Sequence, residues 1–136
     1  MKDLKIGEKA AASAIVDAGS TAKAVGSGSL DVFATPMMVV LLERAACNCL
    51  ASCLEPGETS VGTRIDVRHT AASPLGAAIT AAAIVEHVAG REVTFVVTAS
   101  DEKGEIGRGT HTRFVVDAAR FMAKTIVNSI EITRQV

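Results

Sequence analysis

One helix is written plainly into this chain, and almost everything after it reads as strand. Thr35-Pro36 sets a favoured N-cap beside a favoured first helical residue. The helix is expected to run to about Leu54, where Glu55-Pro56-Gly57 stops it. Its polar residues Arg44, Asn48, Ser52 and Glu55 follow spacings of four, four and three, a single solvated stripe. The rest is apolar except Glu43. At about 100° per residue, Glu43 lies about 100° from Arg44 and about 140° from Asn48, on a face that otherwise asks for burial.

Four extended segments follow, Ser60 to Ala71, Ala77 to Val88, Glu92 to Ser100 and Glu105 to Val116, each rich in Val, Ile and Thr apart from the Ala-rich second. The second and third gaps, Ala89-Gly90-Arg91 and Asp101-Glu102-Lys103-Gly104, are hairpin-length. The segments are therefore expected as successive antiparallel strands, a four-strand meander. Ahead of the helix, Gly7 to Val16 reads as a short strand, Asp17, Gly19 and Ser20 as a turn, Ala18 to Val25 as a brief helix and Gly26-Ser27-Gly28-Ser29 as a loop. Asp117 is expected to cap a C-terminal helix reaching about Asn128, with fraying from about residue 129. An apolar helix followed by antiparallel strands is most easily buried by wrapping the sheet around it. That is the hot-dog arrangement, an α+β fold, in a single domain over 1–136. One sheet face and one end remain under-covered, which makes a homodimer with a continuous sheet the natural completion, with a tetramer as the alternative.

Composition closes off several functions. The 136 residues carry a net charge of −1, and aromatics are 3% with no Trp or Tyr. Neither a phosphate-gripping surface nor a base-stacking platform fits, so nucleic acid is not an expected partner. The first residues, MKDLKIGEKAA, carry alternating charge rather than a leader-like apolar run, and Pro36 to Leu54 is interrupted by Glu43, Arg44 and Asn48. A cytoplasmic protein with no membrane partner is the expectation. Cys47, Cys49 and Cys53 read as small hydrophobes of a buried helix, since C-x-C-x3-C lacks zinc spacing and no H-E-x-x-H occurs. The Gly/Ser loop lacks the Gly-Lys-Ser/Thr ending of a phosphate cradle.

Three residues carry candidate chemistry. Glu43 is a carboxylate on an apolar face, which reads as a proton-transfer group, as an end that escapes to solvent, or as an ion pair with Arg44 or an arginine of the sheet. Strand alternation puts His69 with Thr63, Ile65 and Val67 on the face toward the helix, where an imidazole can move protons near neutral pH. Thr35 has a structural reading as N-cap and a functional one as a hydroxyl beside free helix N–H groups. Thr35 and Glu43 are about 12 Å apart along a straight helix, beyond hydrogen-bond reach, so one site using both needs either a bent helix or a site shared across a dimer interface, and the shared site is the expectation. Gly62 reads as a bulge or a point of close ligand approach. His87 and His111 read as surface or structural.

The run VFATPMMVVLLERAA, then EPGETSVGTRIDVRHTAASPLG and GEIGRGTHTRFVVDAARFMAK, resembles the hot-dog acyl-CoA thioesterases related to fluoroacetyl-CoA thioesterase, from about Val25 to Lys124. In that family a Thr, a Glu eight residues on and a His twenty-six further form the catalytic set. The spacing falls here on Thr35, Glu43 and His69, and the family's active-site glycine on Gly62. The resemblance implies hydrolysis of a short acyl-CoA with no metal and no dissociable cofactor. Glu43 with His69 would activate water or the acyl group. His69 would shuttle protons, and Thr35 would orient or attack the carbonyl. Gly62, Pro36 and Phe33 are the expected substrate contacts. Family members specific for fluoroacetyl-CoA carry a longer aromatic lid before the Thr. Gly26-Ser27-Gly28-Ser29-Leu30 supplies no aromatic gate, so the broader acyl-CoA activity is expected.

Two other readings use the same fold. An acyl-CoA hydratase/dehydratase would want an Asp-x4-His pair, and none follows the helix start. A non-catalytic acyl-CoA or small-ligand module would keep binding after loss of Glu43 and His69.

Overall fold

The computed structural model describes the backbone of residues 1–135 and the side chains of residues 1–127. Strand β1 (Lys9–Ile15) and a one-turn helix α1 (Ala22–Val25) precede the long helix α2 (Thr35–Leu50). After a 3₁₀ turn (Ala51–Cys53) come β2 (Glu58–His69), β3 (Ala78–Ala89), β4 (Glu92–Asp101), β5 (Gly104–Asp117) and α3 (Ala118–Gln135). The helix gives way one turn earlier than expected, its trace tightening before Pro56 and the left-handed Gly57 (φ 84°) redirect the chain. Asp117 caps α3 as expected, its carboxylate accepting from the Arg120 amide, and the helix runs past Asn128 to Gln135. The fraying expected from about residue 129 concerns side chains outside the described residues.

The five strands form one antiparallel sheet in the order β1-β3-β4-β5-β2. The two hairpins make β3-β4-β5 a meander, as their short gaps require. The four-strand meander is corrected at β2, which pairs with β5 at the far edge rather than with β3. The physical reason lies in the segment between β2 and β3. Ser73 is tied to the chain before α2, its carbonyl accepting from Phe33 N at 2.8 Å, and Pro74 bridges Val32. That tether draws the chain across the end of the barrel instead of letting it turn back on itself.

The sheet curls around α2. Met38, Leu41, Leu42, Ala45, Ala46, Cys49 and Leu50 are buried against the inward residues of β3 and β4, including Ile79, Ala81, Ala83, Val85, Phe95 and Val97. Each large aliphatic or aromatic side chain so buried stabilises the fold by about 1.5–3 kcal/mol. The alanines of β3 let the helix approach the sheet closely, and the strict alternation of burial along that strand overrides their helical propensity. By length and hydropathy the Thr35–Cys53 stretch could cross a membrane, yet its apolar face packs against the sheet. Cys49 and Cys53 are core residues as expected, whereas Cys47 is exposed.

Two glycines in β5 admit what lies beside them. A Cβ on Gly107 would meet Met38 Sδ at 2.7 Å, and one on Gly109 would collide with the backbone carbonyl of Asp66. Backbone cannot swing aside as a side chain can. Gly109→Ala is therefore expected to destabilise the protein by about 3 kcal/mol, visible as a drop of roughly 10 °C in the thermal midpoint.

Candidate active site

The approach to α2 sets the position of Thr35. Val32 to Ala34 runs extended, with Ala34 N donating to Ser20 O at 3.0 Å and Val32 O accepting from Ala22 N at 2.8 Å. Ala34, not Thr35, is the N-cap, and it makes no side-chain capping bond. Thr35 is the first helical residue and Pro36 the second, one place later than expected. The capping role is thereby removed from Thr35, and its hydroxyl turns elsewhere: Oγ1 lies 2.8 Å from His69 Nδ1. Helix start and strand end meet there because Thr70 N donates to Ile106 O at 2.7 Å, holding the chain just beyond His69 against β5.

Phe33 meets the His69 ring edge to face, with centroids 6.4 Å apart at 77°. His69 Nε2 is buried and has no hydrogen-bond partner among the described residues. A buried polar nitrogen without a partner is costly, so this atom marks a place where an outside group belongs. Phe33, Thr35, His69, Thr70, Ala71 and Ser27 line a cavity of about 250 Å³. Pro36, expected as a substrate contact, is exposed, lies outside the lining of this cavity and has no N–H, while the Met37 and Met38 amides turn back on Ala34 O. The expected cluster of helix N–H donors thus reduces to the Thr35 amide, which makes no hydrogen bond among the described residues.

Glu43 lies elsewhere on α2, with its side chain 38% exposed and Oε2 held at 3.1 Å by Arg113 Nη1. The ion pair with a sheet arginine, one of the alternatives open to Glu43, is what forms. Arg113 is buried and fully engaged, Nε on Ser60 Oγ at 2.9 Å and Nη2 on Ser60 O at 3.1 Å. Gly62 stands at a β-bulge, as its sequence position suggested, where the register steps from Gly62 to Arg64. A Cβ there would sit 2.7 Å from Glu43 Oε2 and 3.2 Å from Arg113 Nη1. Glu43, Gly62, Thr63, Arg64, Ile65 and His111 line a second cavity of about 290 Å³ that shares no residue with the first.

Within one chain the candidates therefore fall into two groups, Thr35 with His69 and Phe33, and Glu43 with Gly62. The bulge also breaks the expected alternation of β2. Thr63 is displaced from the inward row and Ile65 is 41% exposed, so only Val67 and His69 remain half-buried there. His87 is exposed, as expected. His111 is no surface residue: it is 1% exposed, with Nε2 at 3.2 Å from Arg113 Nη1 and 3.9 Å from Glu43 Oε2. Arg113 escapes the sequence reading, and of the two roles expected for His111, surface or structural, its burial fits the second, although a signal existed for both. They alternate inward with Val115 on β5, and an inward arginine needs the carboxylate that Glu43 offers.

Burial above all holds the pKa of His69 below the ordinary imidazole range, against a smaller opposing influence of the Ala71 backbone. Burial first, with Arg113 nearby, does the same for His111. In the unfolded chain both titrate near 6.5. Below that pH the unfolded chain binds protons that the folded one resists, so stability falls as pH drops from about 6.5 through the folded values. The thermal midpoint is expected to be lower at pH 5.5 than at pH 7.5. The difference should shrink in His69→Gln, and it arises above the range where carboxylates titrate.

A helix cradled by a curled antiparallel sheet is the hot-dog fold, and here a hydroxyl–imidazole pair stands where that helix begins. The family model for fluoroacetyl-CoA-specific thioesterases matches residues 16–119. The fluoroacetyl-CoA thioesterase of Streptantibioticus cattleyicolor is 48% identical over 94 residues, 69% of this chain and 68% of that protein. A solved structure of a fluoroacetyl-CoA thioesterase superposes with a TM-score of 0.86 at 38% identity, covering 91% of this chain and 96% of its own. A thioesterase superfamily member from Thermus thermophilus gives 0.90 at 26% identity, covering 98% and 99%. The chain belongs to the fluoroacetyl-CoA-specific thioesterase family.

Proposed function

We propose that this thioesterase hydrolyses short-chain acyl-CoA esters at two equivalent sites of a homodimer, each built from Thr35 and His69 of one protomer and Glu43 of the other. The single observation that carries the reading is the Thr35–His69 contact of 2.8 Å with His69 Nε2 buried and unpartnered beside it. A hydroxyl held by an imidazole whose other nitrogen is empty-handed is a proton-transfer device awaiting a reactant.

The dimer follows from the sheet edge. Strand β2 is 12 residues long and has β5 on one side only, so its other edge is a row of unpaired backbone groups. Antiparallel pairing of two β2 strands about a two-fold axis near Ile65 covers that edge and the exposed Ile65 side chain. The same pairing carries His69 of one protomer toward the Gly62 bulge of its partner, where the second carboxylate waits. This resolves the separation of the two groups without bending the helix.

Chemically, water attacks the thioester carbonyl carbon, and Glu43 takes one of its protons and passes it to the neutral His69. The developing oxyanion is met by the Thr35 N–H. The C–S bond breaks as His69 hands that proton to the leaving sulfur, so CoA departs as the thiol and the acid is released. A cavity of about 250 Å³ walled by Phe33 suits an acyl group of a few carbons. The segment Gly26 to Leu30 brings no aromatic over it, which favours a broad short-acyl range over fluorine selection. Two features separate this reading from ligand storage, and both are read by free-thiol release from a panel of short acyl-CoAs. Turnover with acid formation supports hydrolysis. Binding of CoA esters without thiol release would make the protein a binding module.

Gly62→Ala offers a milder check. The one atom nearer than 3.0 Å is a Glu43 carboxylate oxygen, a flexible end that can give way, and Arg113 Nη1 and His111 Cε1 at 3.2 Å need only shift by a few tenths of an ångström, so the fold is expected to survive with a modest loss of stability. The Glu43 carboxylate must move to admit the methyl, and kcat is expected to fall about 10-fold or more.

A further inference from the structure

The cluster around Glu43 contains a histidine whose protonation is fixed by its surroundings. His111 Nδ1 lies 2.7 Å from the backbone carbonyl of Arg64, which can only accept, so Nδ1 carries the hydrogen. Nε2 lies 3.2 Å from Arg113 Nη1, which can only donate, so Nε2 offers its lone pair. A neutral imidazole satisfies both neighbours, and an imidazolium would set a second cation against the guanidinium. The ring does not bond Glu43 itself, at 3.9 Å. It accepts from Arg113 Nη1, the nitrogen that also donates to Glu43. Arg64 is the residue that follows the bulge, so His111 also ties that irregular stretch of β2 to the arginine.

We propose that His111 is a positioning residue for Glu43, acting through Arg113: a neutral, Nδ1-protonated imidazole that fixes the edge of the guanidinium presented to the carboxylate. This rests on Glu43 being the working carboxylate of the preceding section. Ser60 anchors the far side of the guanidinium through Nε and Nη2, and His111 anchors the near side. With the near anchor gone, an Nη1 hydrogen is left buried and unpaired, and the head can pivot about Ser60. Glu43 then loses its orientation while the acyl-binding cavity at Phe33 and Thr35 is untouched.

The test has two arms. In the first, the dimeric enzyme is assayed for thiol release as wild type, His111→Leu and His111→Gln. Leucine removes the acceptor, and glutamine restores an oxygen near the Nε2 position. The expected result is a kcat about 10²-fold lower for His111→Leu with KM within about twofold, and substantial recovery in His111→Gln. A folded His111→Leu enzyme with wild-type kcat would overturn the inference. In the second arm, nitrogen NMR of the intact protein labelled at histidine reads the ring directly. Only three histidines are present, and His87→Gln helps to assign them. A bare Nε2 and a protonated Nδ1 at neutral pH are expected, and the reverse tautomer or an imidazolium would overturn the proposal even if His111→Leu did not fold. Turnover that survives Glu43→Gln would instead overturn the functional reading. Turnover that needs Glu43 yet ignores His111→Leu would overturn this inference alone.

Discussion

Replacing His69 with alanine is expected to lower kcat by about 10³-fold while the protein remains folded. Among the described residues the ring has one hydrogen bond, to Thr35, and one edge contact, to Phe33, and its second nitrogen has no partner. Removing it costs the core little, since His69 is only half-buried at the end of an edge strand. The chemistry loses its proton carrier and the partner of the Thr35 hydroxyl at once. In the wild type, kcat/KM should rise with pH along a limb whose midpoint lies below 6.5, because burial holds the imidazole neutral to lower pH than usual. That limb should vanish from the residual activity of the variant. Thiol release measured across pH checks both statements, and an unchanged rate would move the site away from His69.

The second large effect is that of Glu43→Gln, expected to cost about 10²–10³-fold in kcat. The amide keeps the shape and can still accept from Arg113, but it cannot take a proton from water. The carboxylate is partly open to solvent and its partner keeps three other contacts. Stability should therefore fall by only about 1 kcal/mol. A large loss of rate with a small loss of stability separates a working carboxylate from a structural ion pair. The opposite pattern, a rate near wild type and a protein much easier to melt, would assign Glu43 to the fold alone.

The parts of the structure legible in the sequence are those set by neighbours along the chain. The apolar face of α2 and the period-two burial of β3 and β4 follow from side-chain spacing, and the two tight turns follow from their length. The position of β2 was not legible. The residues between His69 and Ala78 suit a return beside β3 as well as a crossing to β5, and the choice is made by Phe33 and Val32 gripping Ser73 and Pro74. The start of α2 misled for a similar reason. Thr before Pro is a local capping signal, but its hydroxyl bonds a ring 34 residues away, a contact no local rule anticipates. The bulge at Gly62 likewise shifts Thr63 off the row that alternation assigned to it.

The candidate site was legible only in pieces. Glu43 and His69 stood out through helix and strand periodicity and Thr35 through its place before Pro36, and the distance between Thr35 and Glu43 along one helix left a bent helix or a shared site as the ways to join them. The link of Arg113 and His111 to the site escaped because it runs through Glu43, which is 70 residues from Arg113 in the chain.

Whether each site is shared between protomers is tested most directly by mixing two disabled proteins. In the proposed dimer, His69→Ala and Glu43→Gln proteins are each expected to be nearly inactive on short acyl-CoAs. Mixed, unfolded and refolded together, they form heterodimers in which one site carries both substitutions and the other carries neither. Random assortment makes half of the dimers mixed, so thiol release should return to about a quarter of the wild-type rate. A mixture no more active than its components, with heterodimers shown to be present, would contradict a shared site.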